Sequence, residues 1–154
     1  MIELVEAPRD AMQGLKAFIP TASKAAYINS LLDVGFDIID FGSFVSPKAI
    51  PQLADTAEVL DLIDLTGRKS KLLAIIANCR GASEGAKHEK ITYLGYPHSI
   101  SNTFLQKNIN STLEKSRDTI KEMMDICLKN NTLLSVYYSM GFGNPYNEEW
   151  HVDQ

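Results

Sequence analysis

Three side chains that can bind anions or cations lie close together near the start of the chain. Arg9, Asp10 and Gln13 belong to the segment Ala7-Pro8-Arg9-Asp10-Ala11-Met12-Gln13, which directly follows an apolar run. A guanidinium, a carboxylate and an amide at the carboxyl end of a strand are suited to a binding loop. An adjacent Arg and Asp also form ordinary loop ion pairs, and Asp10 could cap a helix, so spacing alone leaves both interpretations open.

A second candidate site lies between Ile38 and Lys48, where Asp40 interrupts an apolar strand and Ser43 begins the loop that follows. A carboxylate buried in such a strand needs a cation as its partner. Arg9, at the end of the preceding strand, is the nearest candidate, and an arginine clamped in this way would present its remaining N–H donors rigidly to an anionic ligand. The alternative is that Asp40 caps a backbone amide of the loop.

Alternating strands and helices must position these side chains. Short apolar runs predict five strands, at Ile2 to Ala7, Asp37 to Phe41, Lys71 to Ala77, Glu89 to Tyr96 and Thr132 to Tyr138. Helical periodicity predicts helices from Thr21 to a stop at Gly35, from Leu53 to Ile63 and from Ser111 to about Lys129. We expect Asn110 or Ser111 to cap the last helix and one apolar stripe to line it: Leu113, Ile120, Met123, Met124, Cys127 and Leu128.

This alternation predicts an α/β fold with parallel strands and a single domain over residues 1–154. Two architectures compete. Length favours a doubly wound, flavodoxin-like sheet, because a (β/α)₈ barrel needs about 250 residues. The polar side chains favour a partial (β/α)₈ TIM barrel with about five strands in sequential order and helices outside. They follow four different strands, and a barrel gathers such strand ends around one mouth: Arg9-Asp10, Ser43, Asn78 and Ser139.

Composition excludes several classes of function. The 154 residues are 45% hydrophobic and carry 15 Lys and Arg against 19 Asp and Glu, so the net charge is -4 and gives no field for a nucleic acid backbone. We find no apolar stretch of the roughly 20 residues that a membrane span requires. Cys79 and Cys127 lie far apart, without the spacing of a zinc site or of a disulfide framework. We therefore expect a cytoplasmic protein with reduced thiols.

Read together, the two candidate segments resemble the hydroxymethylglutaryl-CoA lyase family. That family carries motifs close to Pro-Arg-Asp-Gly-Leu-Gln and Ser-Phe-Val-Ser-Pro-Lys, and the second motif stands here letter for letter from Ser43 to Lys48. Further segments resemble the family in the same order along the chain: Pro51-Gln52, Glu58-Val59-Leu60, Asn78-Cys79-Arg80-Gly81, Lys107-Asn108-Ile109-Asn110 and Gly143-Asn144-Pro145-Tyr146. The resemblance spans essentially the whole chain.

The resemblance implies a divalent-cation-dependent lyase that splits 3-hydroxy-3-methylglutaryl-CoA, an acyl-CoA substrate, into acetoacetate and acetyl-CoA. Asp10 would be a ligand of Mg²⁺ or Mn²⁺. Arg9, clamped by Asp40, would stabilise the enolate oxygen of the departing acetyl-CoA. Gln13, Ser43 and Ser139 would bind and orient the substrate. Open alternatives are a Claisen-type acyltransferase, as in isopropylmalate or homocitrate synthases, and a flavodoxin-like binding domain without catalysis.

The chain also departs from the family. The family usually has Glu where Asp40 stands, and Ala11-Met12 replaces Gly-Leu in the first motif. The His-x-His pair, the Asn and the cysteine in a glycine-rich loop that complete the family's site have no counterpart, and His88, His98 and His151 are predicted to lie at the surface or in loops. We therefore expect the N-terminal portion of a barrel, inactive alone, that forms a homodimer or requires the missing C-terminal part.

Overall fold

The computed structural model describes residues 2–149, 151 and 153 and contains one parallel sheet of five strands. The strands are β1 (Val5–Glu6), β2 (Ile38–Ser43), β3 (Lys71–Ile75), β4 (Ile91–Ser99) and β5 (Leu133–Ser139). Each strand pairs with the next one along the chain, in the order β1-β2-β3-β4-β5. This is the order of a (β/α)₈ barrel that stops after five strands, and it excludes the doubly wound order 2-1-3-4-5. The predicted partial barrel is confirmed.

Six helices and one 3₁₀ turn connect the strands within these residues. The helices are α1 (Pro8–Gln13), α2 (Thr21–Val34), α3 (Thr56–Asp61), α4 (Cys79–Gly85), α5 (Asn102–Ile109) and α6 (Leu113–Lys129), and the 3₁₀ turn covers Pro51–Leu53. Helix α2 begins at Thr21 as predicted, and Gly35 ends it with a φ of 87°, a left-handed conformation that glycine adopts without strain. None of the described helices is long and apolar enough to cross a membrane.

The apolar core fills the space between the sheet and the helices. Alternate residues of β2 and β3, namely Ile39, Phe41, Leu72 and Ala74, face α2, α3 and α6 and are at most 2% exposed. Helix α2 meets them with Ala25, Ile28 and Leu32, whose spacing of three and four residues places them on one side of the helix. Each fully buried aliphatic side chain of this size contributes about 1.5–3 kcal/mol, so this layer fixes the positions of the strand ends.

A register shift in β2 decides which residues face the other side of the sheet. Asp40 pairs with Leu73 of β3, but Gly42 pairs with Ala74 and Ser43 pairs with Ile75, so one residue of β2 is extra. Ser43 therefore shares a face with Asp40, although the two residues are three positions apart and regular alternation would put them on opposite faces. The shift brings Gly42 against α3, where a Cβ would lie 2.6 Å from Thr56 Cγ2.

Several elements differ from the predictions. Helices α1, α4 and α5 were not expected, and the helix predicted over Leu53 to Ile63 is only α3, preceded by the 3₁₀ turn. The cap of α6 is Thr112, whose hydroxyl accepts from Lys115 N at 3.3 Å, and not Asn110 or Ser111. The predicted stripe of α6 is too wide, because Met124 and Leu128 are 50% and 75% exposed.

Candidate functional site

The predicted ion pair between Arg9 and Asp40 is present at the carboxyl end of β1 and β2. Arg9 Nε donates to both carboxylate oxygens of Asp40 at 3.1 Å, and Nη2 donates to Oδ2 at 2.5 Å. The side chain of Asp40 is 3% exposed and that of Arg9 is 13% exposed. Because the guanidinium is planar and bound along one edge, Asp40 fixes its orientation as well as its position.

Helix α1 adds two further contacts to the same guanidinium. Arg9 Nη1 donates to Asp10 Oδ1 at 2.8 Å and to Gln13 Oε1 at 2.9 Å, and Gln13 Nε2 donates to Asp10 Oδ1 at 3.3 Å. This segment was predicted as a loop, but one helical turn places Arg9 and Gln13, four residues apart, on the same side. Four of the five N–H groups of Arg9 are engaged in these bonds within the described residues, and one on Nη2 is left for a ligand.

Burial and charge act in opposite directions on this ion pair. Burial alone would lower the pKa of Arg9, but the hydrogen bonds and charge of Asp40, with the charge of Asp10, raise it overall. Burial raises the pKa of Asp40, and the hydrogen bonds and charge of Arg9 offset part of that increase. The guanidinium therefore stays charged throughout the physiological pH range and offers a fixed positive group at the mouth of the half-barrel.

Tyr137 of β5 is a member of this site that the sequence analysis missed. Its phenol interacts electrostatically with both Arg9 and Asp40, and burial, followed by the charge of Asp40, raises the pKa of Tyr137. Its ring packs over Gly95 of β4, where an added Cβ would lie 2.9 Å from Tyr137 Cε2. The Tyr137 hydroxyl is therefore a neutral hydrogen-bond donor beside a buried ion pair.

The other predicted strand-end residues have different surroundings. The hydroxyl of Ser43 donates to Ile75 O at 3.2 Å and accepts from Val45 N at 3.2 Å, so it organises the loop after β2. Asn78 caps α4 by accepting from Gly81 N at 2.9 Å, which is a structural role. Ser139 ends β5, and its carbonyl accepts from Ser99 Oγ at 2.6 Å. The structure thus joins Arg9, Asp10, Gln13 and Asp40 directly, and it places Ser43 and Ser139 along the same rim.

Among the described residues, Asp10 is a candidate ligand for a hard cation at this site. The carboxylate of Asp10 is 66% exposed and is a hard oxygen ligand of the kind that Mg²⁺ and Mn²⁺ prefer. No group of three or more His, Cys, Asp or Glu side chains that could hold a metal ion exists among them. Asp10 therefore fits as one ligand of a divalent cation, but the part of the chain that is described does not form a complete metal site.

One histidine prediction is wrong. His98 lies in β4, is only 3% exposed, and bonds through Nδ1 to Ser116 Oγ at 2.7 Å. Ser116 Oγ also bonds Tyr96 at 2.9 Å, so a buried polar chain links β4 to α6 on the helix side of the sheet. The period-2 pattern of β4 could have indicated this, since His98 follows Leu94 and Tyr96 at two-residue steps. His88 and His151 are partly or largely exposed, as expected.

Comparison with known proteins gives a consistent result. No family model matches the chain. The chain is 33% identical over 150 residues to the hydroxymethylglutaryl-CoA lyase of Bacillus subtilis, covering 96% of this chain and 48% of that protein. It is 34% identical over 149 residues to the mitochondrial hydroxymethylglutaryl-CoA lyase of Gallus gallus, covering 94% and 48% respectively.

Solved structures give the same result for the fold. The structure of an HMG-CoA lyase from Acinetobacter baumannii in complex with coenzyme A and 3-methylmalate superposes with a TM-score of 0.89 at 30% identity. The match covers 99% of this chain and 50% of that one. The chain therefore spans about half the length of the relatives and of the structure that it matches.

Proposed function

We propose, from the similarity of this chain to about half of each hydroxymethylglutaryl-CoA lyase that it matches, that it forms the N-terminal portion of a carbon–carbon lyase domain. In the completed barrel the substrate is 3-hydroxy-3-methylglutaryl-CoA and the products are acetoacetate and acetyl-CoA. The observation that carries the proposal is the Arg9–Asp40 pair, in which a buried carboxylate orients a charged guanidinium at the barrel mouth.

The reaction needs a fixed positive group where negative charge develops. The C3 hydroxyl of the substrate loses a proton, the C2–C3 bond breaks with formation of a ketone at C3, and the electron pair passes to the thioester as an enolate. Arg9 donates a hydrogen bond from Nη2 to the enolate oxygen. Asp40 holds the guanidinium in a fixed position while the negative charge develops on that oxygen. The enolate is then protonated at C2 to give acetyl-CoA.

The neighbouring side chains bind and orient the substrate in this proposal. Gln13 is held by Arg9 and Asp10, so its amide has one defined orientation. Tyr137 donates a hydrogen bond from its phenol to a substrate oxygen; a phenol is protonated at neutral pH, and burial raises the pKa of Tyr137 further. Ser43 and Ser139 contribute to the wall at the ends of β2 and β5. Each of these roles stays a prediction.

Asp10 would hold a divalent cation, Mg²⁺ or Mn²⁺, together with ligands from outside the described residues and from the substrate. Such a cation would polarise the substrate oxygens and favour the alkoxide at C3. Asp10 can serve as a ligand while it accepts from Arg9 and Gln13, since a carboxylate offers about four lone-pair sites.

A complete barrel needs three strands beyond the five that the described residues form. Strands β1 and β5 are the two edges of the sheet, and apolar side chains beside both edges are exposed, with Leu4 at 61%, Leu133 at 54% and Tyr138 at 67%. Unpaired edges next to exposed apolar side chains favour further strand pairing. We infer that a polypeptide supplying three more strands occupies this gap, in preference to a second copy with five, and that the isolated chain is inactive.

A cytoplasmic location belongs to the same proposal. Cys79 and Cys127 are free thiols, one partly buried and one buried, which suits a reducing compartment.

A fusion of this chain to the unmatched half of the Bacillus subtilis lyase tests the function. We expect cleavage of 3-hydroxy-3-methylglutaryl-CoA that depends on added Mg²⁺ or Mn²⁺, while this chain alone shows none. Arg9→Met should lower kcat by about 10²–10³, the usual cost of a lost oxyanion donor, and Asp10→Ala should abolish the cation-dependent cleavage. A folded fusion that instead condenses acetyl-CoA with a 2-oxo acid would replace the lyase by the synthase alternative, and a folded fusion without either activity would refute both.

A further inference from the structure

Helix α1 carries Arg9, Asp10 and Gln13, and it is anchored by only two buried side chains of its own, Pro8 and Met12. It has only six residues, and the chain from Leu15 to Pro20 that follows it has no helix or strand. Isolated helices of this length are not stable in water. Apart from the bonds of Arg9 itself, other contacts must fix the segment that positions the guanidinium.

Gln52, in the 3₁₀ turn after β2, supplies such contacts to the segment after α1. Its side-chain Nε2 donates to Leu15 O at 3.2 Å and to Ala17 O at 2.8 Å, and its Oε1 accepts from Ile19 N at 2.8 Å. Gln52 is 3% exposed, so these bonds are made away from water. One amide thus replaces the backbone partners that a helix or a strand would have provided over five residues.

A buried ammonium group fixes the turn in its place. The Nζ of Lys24, a residue only 2% exposed, donates to the backbone carbonyl of Gln52 and to Asp55 Oδ1 at 2.6 Å. The same Nζ lies 4.1 Å from the centre of the Phe18 ring, in the segment after α1. Thr21 completes the arrangement by donating to Asp55 Oδ2 at 2.7 Å.

We propose that Gln52, Lys24 and Asp55 are positioning residues that hold Arg9 in register with Asp40 by tying the segment after α1 to the segment after β2. The first segment directly follows α1, which carries Arg9, Asp10 and Gln13, and the second follows β2, which carries Asp40 and Ser43. The contacts between the segments therefore join the two sides of the proposed site. The inference rests on the proposed function only for the importance of Arg9. The contacts that Gln52, Lys24, Asp55 and Thr21 make, together called the clamp, are seen in this chain whatever its function is.

The test measures the exchange of the Arg9 Nε–H hydrogen with solvent by NMR on the 154-residue chain. The sequence has four arginines, so an Arg9→Lys variant assigns the signal by its loss. We expect Gln52→Leu to increase the exchange rate about tenfold or more, because local opening at Arg9 becomes more frequent. Thr21→Val, which removes one bond of the clamp, should increase the rate about two- to threefold.

Leu105→Ala is the matched control, because Leu105 is fully buried on α5 and its loss lowers overall stability without touching the clamp. Exchange at Arg9 should stay at the rate of the parent in this variant when all samples are compared well below their Tm. Equal exchange rates in Gln52→Leu and Leu105→Ala would overturn the proposal. If Gln52→Leu does not fold, the comparison of Thr21→Val with Leu105→Ala decides in the same way. Because no activity is measured, the clamp can fail while the lyase proposal stands, or the reverse.

Discussion

Replacing Asp40 by asparagine should destabilise this chain far more than the same change at Asp10, although both carboxylates contact the same guanidinium. The Asp40→Asn variant would keep the shape of the side chain but remove the charge that balances Arg9, which is only 13% exposed. Breaking a buried ion pair from one side costs about 3–5 kcal/mol. Arg9 keeps its contact with Asp10 at 2.8 Å, so we expect about 3 kcal/mol, the lower end of that range.

Asp10→Asn is the control because its carboxylate is 66% exposed. An exposed ion pair of this kind contributes at most about 1 kcal/mol. Urea unfolding followed by circular dichroism gives the free energy of unfolding of each variant, provided that the slope with denaturant stays constant.

A double-mutant cycle with Arg9→Met completes the measurement. Once Arg9 is replaced, Asp40→Asn should cost little, so the coupling free energy should be about 2–3 kcal/mol. Equal losses for Asp40→Asn and Asp10→Asn, or a coupling below about 0.5 kcal/mol, would refute the view that burial makes Asp40 the principal partner of Arg9.

Two further predictions concern β4. Gly95→Ala should lower the free energy of unfolding by about 1–3 kcal/mol, because the new Cβ would lie 2.7 Å from Ile75 Cδ1 and 2.9 Å from Tyr137 Cε2. Gly14→Ala is the control: a Cβ there would have nothing within 4 Å, so this variant should be neutral or stabilising in the same unfolding assay. Burial, and then the charge of Arg117, lowers the pKa of His98, so the unfolded chain binds a proton there more readily than the folded chain. The free energy of unfolding should therefore fall as pH drops below about 6.5, by at most about 1.4 kcal/mol per pH unit. His98→Asn should make this acidic part of the stability profile flatter. If the profile of the variant is unchanged, a group other than His98 titrates there.

Sequence patterns predicted the parts of this fold that repeat. The five apolar runs became five strands, and Asp40, the one charged residue of β2, paired with Arg9 as expected. These predictions succeeded because every buried strand needs apolar side chains. A buried carboxylate needs a cation or hydrogen-bond donors as partners, and few side chains were available.

Short helices, and the side of the sheet that a given strand residue faces, could not be predicted in the same way. Helices α1 and α4, of six and seven residues, are too short for a helical period to show, and they are stabilised by contacts with other segments. Tyr137 was missed because β5 carries two adjacent tyrosines, Tyr137 and Tyr138. Only the pairing register of the strand decides which of the two lies beside Arg9.

Sequential strand order also has a consequence for biosynthesis. Each of the four strand pairs described, from β1–β2 to β4–β5, joins strands that are neighbours in the sequence, so none of these pairs needs a strand encoded much later. Nascent chains form such short-range pairings early, before distant segments have left the ribosome. Each βα unit can therefore add to the one before it as it emerges. The Arg9–Asp40 pair and the residues proposed to position it all lie between Arg9 and Asp55, so they can assemble before β3 is made.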